Sequence, residues 1–312
     1  MDLMQKQPLV SIITVNYNQS VVTCEFLESL SKISYKQIEV FVVDNNSPND
    51  NPDIIKQQFP KTTLLKSDKN LGFAGGNNVA IPYCKGEYIL FINNDTEVDT
   101  GFLEPMVELL ESDSTIGMVS PRIQYFHTPG VIQYAGFTSF NLITTRIFSH
   151  GFGEKDTGQF SNVSESGSIF GTAMLVPKQV ILEAGMMSEI FFLYYEEHDW
   201  AAHIKDLGYS IYYQGKSLVY HKESISTGRN SPFQTYYLTR GRILFTRRNT
   251  YGFKKIIALF YIYFITTPRI TIGYLLKFEF KHIWAFWKAV GWNIVNSDKS
   301  KFKIPTFHES TE

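Results

Sequence analysis

Asn93-Asn94-Asp95 stands where an apolar run, Tyr88-Ile89-Leu90-Phe91-Ile92, meets a cluster of amides and acids. Oxygens of this kind are hard ligands for a divalent cation, with Asp95 as the carboxylate. The competing reading is a polar turn closing a core strand. A second group, Glu196-Glu197-His198-Asp199, opens a helix, where acids are stabilised by the helix dipole whether or not they do chemistry. His221 ends a later strand, and a lone histidine there is commonly structural. Asp44-Asn45-Asn46-Ser47 ends an earlier strand and suits an Asx-turn. Gly72-Phe73-Ala74-Gly75-Gly76 is not a GxGxxG pattern, so a dinucleotide site is poorly supported. Its glycines either let the backbone approach a ligand or form a tight loop ahead of a helix.

The elements that must hold these groups follow from the apolar pattern. Val10 to Val15, Ile38 to Val43, Thr62 to Lys66 and Tyr88 to Ile92 read as strands. The runs lack alternation, which suits strands covered on both faces. Between them lie helical segments: Ser20 (as N-cap) to Ile33, Pro52 to Phe59, and one leading from the glycine-rich stretch to Gly86. Strand and helix in alternation argue for βαβ units and a parallel sheet, with each polar strand end on one edge. A helix at Phe102 to Glu111 and a strand at Met118 to Ile123 follow. Residues 124–168 show no clear period and read as loops and short strands. A strand ends at Val176, a short helix runs from Pro177 to Gly185, and the acidic helix ends at Gly208. Tyr209 to Tyr213 and Ser217 to His221 read as two short strands, and Pro232 to Arg248 as a helix.

With 312 residues the chain can bury a sizeable core. A formal net charge of -1 excludes a strongly cationic nucleic-acid binder, and no DNA- or RNA-reading motif is present. Cys24 and Cys84 form neither a CxxC nor a metal cluster and fit a reducing cytoplasm. Met1 to Pro8 is polar and does not read as a secretory signal.

Three stretches taken in series carry a resemblance. They are Val10 to Asn18 with Val42 to Ser47; Leu71 to Asn78 followed by Asn93-Asn94-Asp95; and Glu196 to Asp199 with His221. In this order they resemble glycosyltransferase family 2, particularly its rhamnosyltransferase-like branch, over roughly residues 8–250. The resemblance implies an α/β GT-A fold: a Rossmann-like, mostly parallel central sheet flanked by helices. It implies an inverting, metal-dependent glycosyltransferase that moves a sugar, rhamnose among the candidates, from a nucleotide diphosphate to an acceptor hydroxyl. Asp95 matches the last position of the family's Asp-x-Asp metal motif, with Asn93 in place of the first acid. Asn94 is left for ribose or phosphate. His221 sits where some members bring a histidine to the cation, Mn²⁺ or Mg²⁺. Glu197 matches the base position of the family's Glu-Asp-x-Asp pattern, and Asp199 is the second choice. Val15, Tyr17, Asp44, Asn45, Asn70, Gly75 and Asn78 fall where the donor would be held, and Arg229 where a loop would close over the diphosphate. Arg240 is the alternative to Arg229, while His198 and His203 read as structural.

Ile256 to Leu276 is long enough to span a bilayer, but Pro268 and Arg269 interrupt it. Lysines flank it, and Phe280, Trp284, Phe286, Trp287 and Trp292 follow, a mix that suits helices lying at a membrane surface. The expected organisation is a catalytic domain over 1–250, with a nucleotide-sugar half at 8–123 and an acceptor half at 124–230. A helical extension over 251–312 would associate with the membrane. The expected partners are a dTDP-rhamnose or UDP-sugar donor and a saccharide acceptor on a lipid, with the enzyme peripheral on the inner face of the cell membrane. The alternative is a non-catalytic sugar- or nucleotide-binding scaffold, motivated by the departures at Asn93 and Glu197.

Overall fold

The computed structural model describes residues 7–222 and 230–297. Strand and helix alternate through the first third: β1 (Val10–Asn16), α1 (Ser20–Leu30), β2 (Ile38–Asp44), α2 (Asp53–Gln58), β3 (Thr63–Lys66), α3 (Gly72–Ala80) and β4 (Tyr88–Ile92). These strands pair in parallel in the order β3-β2-β1-β4. The chain therefore leaves β1 toward β2 on one side and returns to β4 on the other. Such a reversal opens a crevice at the carboxyl ends of the strands.

The unbroken apolar runs have a plain cause. Ile12 and Leu90 pack into one core with Phe26, Leu27 and Met106, while Ile13 and Phe91 point into a second core with Ala74, Ile181 and Trp200. Alternate residues of one strand thus serve opposite faces, and both faces carry helices. Full burial of each such side chain stabilises the fold by about 1.5–3 kcal/mol.

β5 (Thr96–Val98), α4 (Glu104–Ser112), β6 (Ile116–Tyr125), β7 (Ile132–Tyr134), β8 (Val163–Glu165) and β9 (Ala173–Pro177) follow in the chain. Then come α5 (Lys178–Ala184), α6 (Glu196–Asp206) and β10 (Ser210–His221). β9 joins antiparallel to β4 and extends the sheet through β6 and β10 to β5, ten strands in all. The parallel character expected from the sequence is concentrated in β3-β2-β1-β4 and in the β6–β10 pair; β5, β7, β8 and β9 are antiparallel to their neighbours. The two short strands expected at 209–221 are one strand, with a register shift between Gln214 and Leu218. Gly215 sits in that irregularity, where a Cβ would fall 2.2 Å from the Phe160 carbonyl oxygen.

α7 (Pro232–Asn249) leads to α8 (Gly252–Phe260), a π-helical turn (Tyr261–Thr266), α9 (Thr267–Leu276) and α10 (Phe280–Val295). From Gly252 to Leu276 the helix is continuous. Pro268, which has no N–H to donate, lies just past the π turn, where the regular i→i−4 ladder is already interrupted. Ile243 of α7 clusters with Ile262, Phe286 and Val290, so α7 packs against the helices that follow it.

Candidate active site

A cavity of about 380 Å³ lies at the carboxyl ends of β1, β2 and β4. Val15, Tyr17, Asn45, Asn70, Asn94 and Asp95 line it, as do Glu197 and His221. Residues far apart in the chain meet here because β5 pairs antiparallel with the end of β10, setting His221 opposite Thr96.

His221 Nε2 lies 3.2 Å from Asp95 Oδ1. The other ring nitrogen, Nδ1, lies 2.8 Å from Gln133 Oε1. That amide oxygen can only accept, so Nδ1 donates to it, and Nε2 is the nitrogen left to face Asp95, directly or across a cation. A histidine oriented in this way is a ready metal ligand, with Gln133 fixing its tautomer. The backbone holds the pair as well, since Lys222 N donates to the Asp95 carbonyl at 2.8 Å. Asp95 and His221 offer two donor groups, and among the described residues no group of three or more His, Cys, Asp or Glu is placed to hold a metal ion. The donor set fits a cation that takes its remaining ligands from phosphate oxygens and water, as Mg²⁺ commonly does. Asn94 lines the same wall, its amide donating to Thr23 Oγ1 at 2.9 Å.

The opposite wall is the start of α6. Trp200 packs edge-on against Phe91 at 5.5 Å, and its Nε1–H donates to Gly185 O at 2.9 Å, which fixes the helix on β4. The entry to α6 is strained: Phe192, Tyr194 and Tyr195 all have positive φ. Glu196 and Glu197 follow at once and both line the cavity. Gly171 lies against Glu197, where a Cβ would come 3.4 Å from Oε1. One carboxyl oxygen of each glutamate is buried without a hydrogen-bond partner among the described residues. Burial, then the neighbouring Glu197, hold the Glu196 carboxyl well above the usual carboxylate range. His198 is also buried, bonded through Nδ1 to Ser168 Oγ at 2.8 Å and ringed by Phe137, Phe140 and Tyr195. Burial lowers its pKa, so it is a neutral packing residue.

Other residues singled out from the sequence sit elsewhere or are otherwise engaged. Asp199 faces a separate cavity with Arg247 and Arg248, not the one holding Glu197. Its Oδ1 accepts from Arg248 Nε and Asn249 Nδ2, each at 2.7 Å, which ties α6 to the end of α7. Asp44 accepts from Asn16 Nδ2 and Ser47 Oγ, closing the end of β2 in the Asx manner. Asn78 is buried and donates to Met187 O and Glu189 Oε1. Asn45 does border the cavity, but its amide is spent on Asn70 Oδ1, Gly72 O and Leu71 N. The glycines serve packing: a Cβ on Gly75 would meet Leu71 at 2.7 Å, and one on Gly72 would collide with the Phe192 backbone. Arg240 is buried, donates to Ile190 O and Phe191 O, and stacks over Trp292 at 4.3 Å, so it props the loop before α6. Arg229 lies outside the described residues.

Gln133 and Glu196 were not singled out by the sequence. Gln133 lies in β7, inside the stretch without periodicity, and no local signal marks it. Glu196 belongs to the acidic run already noted, but nothing local shows that it would be buried.

A twisted α/β sheet with a polar cavity across the parallel strand ends, rimmed by a carboxylate–histidine pair, defines the class architecturally. The mannosyltransferase PcManGT from Pyrobaculum calidifontis, solved with GDP-Man and Mn²⁺, matches with a TM-score of 0.58 at 16% identity, covering 95% of this chain and 78% of that one. GalNAc-T7, solved with UDP, GalNAc and Mn²⁺, matches with a TM-score of 0.63 at 15% identity, covering 96% of this chain and 59% of that one. The fold is GT-A.

The chain belongs to glycosyltransferase family 2: the sequence pattern of "Glycosyl transferase family 2" matches residues 11–173. It is a glycosyltransferase. The Escherichia coli UDP-Glc:alpha-D-GlcNAc-diphosphoundecaprenol beta-1,3-glucosyltransferase WfaP is 26% identical over 259 residues, 81% of this chain and 92% of that protein. The N-acetylglucosaminyl-diphospho-decaprenol L-rhamnosyltransferase of Mycobacterium tuberculosis is 22% identical over 250 residues, 71% of this chain and 78% of that protein.

Proposed function

We propose that this enzyme transfers a glycosyl group, with inversion, from a nucleotide diphosphate sugar to a hydroxyl of a lipid-linked saccharide in cell-surface polysaccharide synthesis. The observation that carries this reading is one cavity bringing Asp95 and His221 together with Glu197. Tyr17, Asn45 and Asn70 border the nucleoside end. Asp95 and His221 would hold the cation beside the diphosphate, and Asn94 lies next to them. A bound cation supplies positive charge to the departing diphosphate. Glu197 takes the proton of the acceptor hydroxyl as that oxygen attacks the anomeric carbon. The new C–O bond forms on the face opposite the breaking bond to phosphate, which inverts the centre. The nucleoside diphosphate leaves and Glu197 is left protonated.

Both curated relatives named above act on sugars linked through a diphosphate to a polyprenol, and one of them uses UDP-Glc. These names support a lipid-linked acceptor here, with dTDP-rhamnose or a UDP-sugar as donor. The continuous helix from Gly252 to Leu276 is apolar enough to cross a membrane by length and composition, yet one face packs on α7 and α10. That pattern supports a peripheral enzyme at the cytoplasmic face of the membrane, where nucleotide sugars are at hand.

A thermal-shift screen of dTDP-rhamnose and UDP-sugars, each with and without Mn²⁺, tests the reading. One donor should stabilise the protein strongly only when the cation is present. Equal stabilisation without cation would remove Asp95 and His221 from donor binding.

A further inference from the structure

The turn between α9 and α10 carries Leu276 (77% exposed), Phe278 (77%) and Phe280 (62%). Exposed aromatic and aliphatic groups concentrated in this way mark an interaction surface. The turn is rigidly built. Phe278 N donates to Leu275 O and Glu279 N to Tyr274 O, while Tyr274 stacks on His282 at 5.2 Å. Phe278 itself has a φ of 56°, a left-handed conformation with a backbone cost for a bulky residue.

The same turn is fastened to the wall of the donor cavity. His282 Nδ1 lies 2.8 Å from Thr235 Oγ1 in the first turn of α7. The preceding residues, Phe233 and Gln234, line the cavity. The turn is therefore connected, through His282 and Thr235, to the helix whose first residues border the cavity.

Charge on this part of the chain is one-sided. Between residues 252 and 297 lie Lys254, Lys255, Arg269, Lys277, Lys281 and Lys288, against the single acid Glu279. Trp284 and Trp287 are exposed on α10, and Phe253, Ile256 and Phe260 on α8. Apolar and aromatic groups among lysines match the headgroup boundary of an anionic bilayer. A bundle buried in a second copy of itself would instead bring these cations against each other.

We propose that the α9–α10 turn is the insertion point by which this enzyme docks on an anionic membrane, holding the mouth of the donor cavity at the bilayer surface. The inference deepens the reading of a lipid-linked acceptor, and rests on it for its purpose. α8 and α9 lie in the membrane plane with their outer face in lipid, and α10 sets Trp284 and Trp287 at headgroup level. An acceptor sugar carried on a membrane lipid then reaches Glu197 without leaving the bilayer surface.

Co-sedimentation of the full chain with phosphatidylcholine vesicles, with and without phosphatidylglycerol, tests this. Binding should require the anionic lipid, and Phe278→Glu and Leu276→Glu should each weaken it about tenfold or more. Val21→Glu, at an exposed apolar position on α1, should leave binding unchanged. Each variant should keep its thermal shift with UDP or dTDP plus Mn²⁺. If the wild-type chain ignores anionic vesicles, or if Phe278→Glu converts a dimer in solution to monomers, the surface belongs to another partner and the proposal fails. Vesicle binding without any nucleotide shift would instead remove the donor reading and leave the docking surface standing.

Discussion

Gly72 lies so close to Phe192 that a Cβ on it would fall 2.0 Å from the Phe192 carbonyl oxygen, the atom that accepts from Phe73 N at 2.7 Å. This contact joins the glycine-rich segment to the loop that introduces Glu196 and Glu197. Gly72 also has a φ of +72°, which a side chain rarely adopts. Gly72→Ala should therefore destabilise the protein by about 1–3 kcal/mol and weaken donor binding. Thermal unfolding and donor titration measure this. Gly101→Ala, where a Cβ meets nothing within 4 Å, should change neither.

Gln133 acts on the cation site only through His221. Gln133→Leu leaves Nδ1 without its acceptor and frees the ring to turn. Apparent Mn²⁺ affinity, read by titrating donor binding against metal, should fall about 10–100-fold with little change in unfolding temperature. His221→Ala should have at least as large an effect. Unchanged metal dependence in both variants would remove this pair from the site.

Asp199 and Glu197 share the first turn of α6 but have different surroundings. Asp199→Asn breaks a buried ion pair with Arg248, whose side chain is also buried. Loss of one partner of such a pair costs about 3–5 kcal/mol. The expected result is a markedly lower unfolding temperature, with turnover per folded molecule largely kept.

Two buried groups on α6 give opposite pH signatures. Burial raises the pKa of Glu196, so the folded state keeps a proton that the unfolded chain sheds above about 4.5. Stability is lost as pH rises above that value. Glu196→Gln should thus gain on the wild type in unfolding temperature as pH rises from 4.5 to 7.5. Burial lowers the pKa of His198, so the unfolded chain takes up a proton near 6.5 while the folded one does not. Its contribution is present above pH 6.5 and is lost as pH falls toward the folded pKa. His198→Asn should therefore flatten the acid side of the stability profile. Reversed slopes would contradict these assignments.

The parts legible in the sequence were those encoded locally. Tyr88 to Ile92 could be read as a strand covered on both faces because five apolar residues in a row have no solvated side to offer. The acidic start of α6 and the helices from Pro232 onward were likewise written in short-range pattern. Asp95 and His221 were each visible, but their 3.2 Å contact depends on β5 pairing with β10, a long-range event. Asp199 illustrates the opposite limit. It stands two residues after Glu197, yet α6 turns it toward Arg248 and Asn249, partners that no spacing rule could name. Gln133 was hidden because β7 is three residues long and joins the sheet through β6.

Glu197 is the residue on which the whole reading turns, since the donor, the cation pair and the docked membrane matter only if a base waits at the end of the path. The direct test is single-turnover release of nucleoside diphosphate by Glu197→Gln, with donor affinity measured on the same sample. The expected result is a loss in rate of about 10²-fold or more, with donor affinity and unfolding temperature close to wild type. Wild-type rates in Glu197→Gln at unchanged donor affinity would contradict the account.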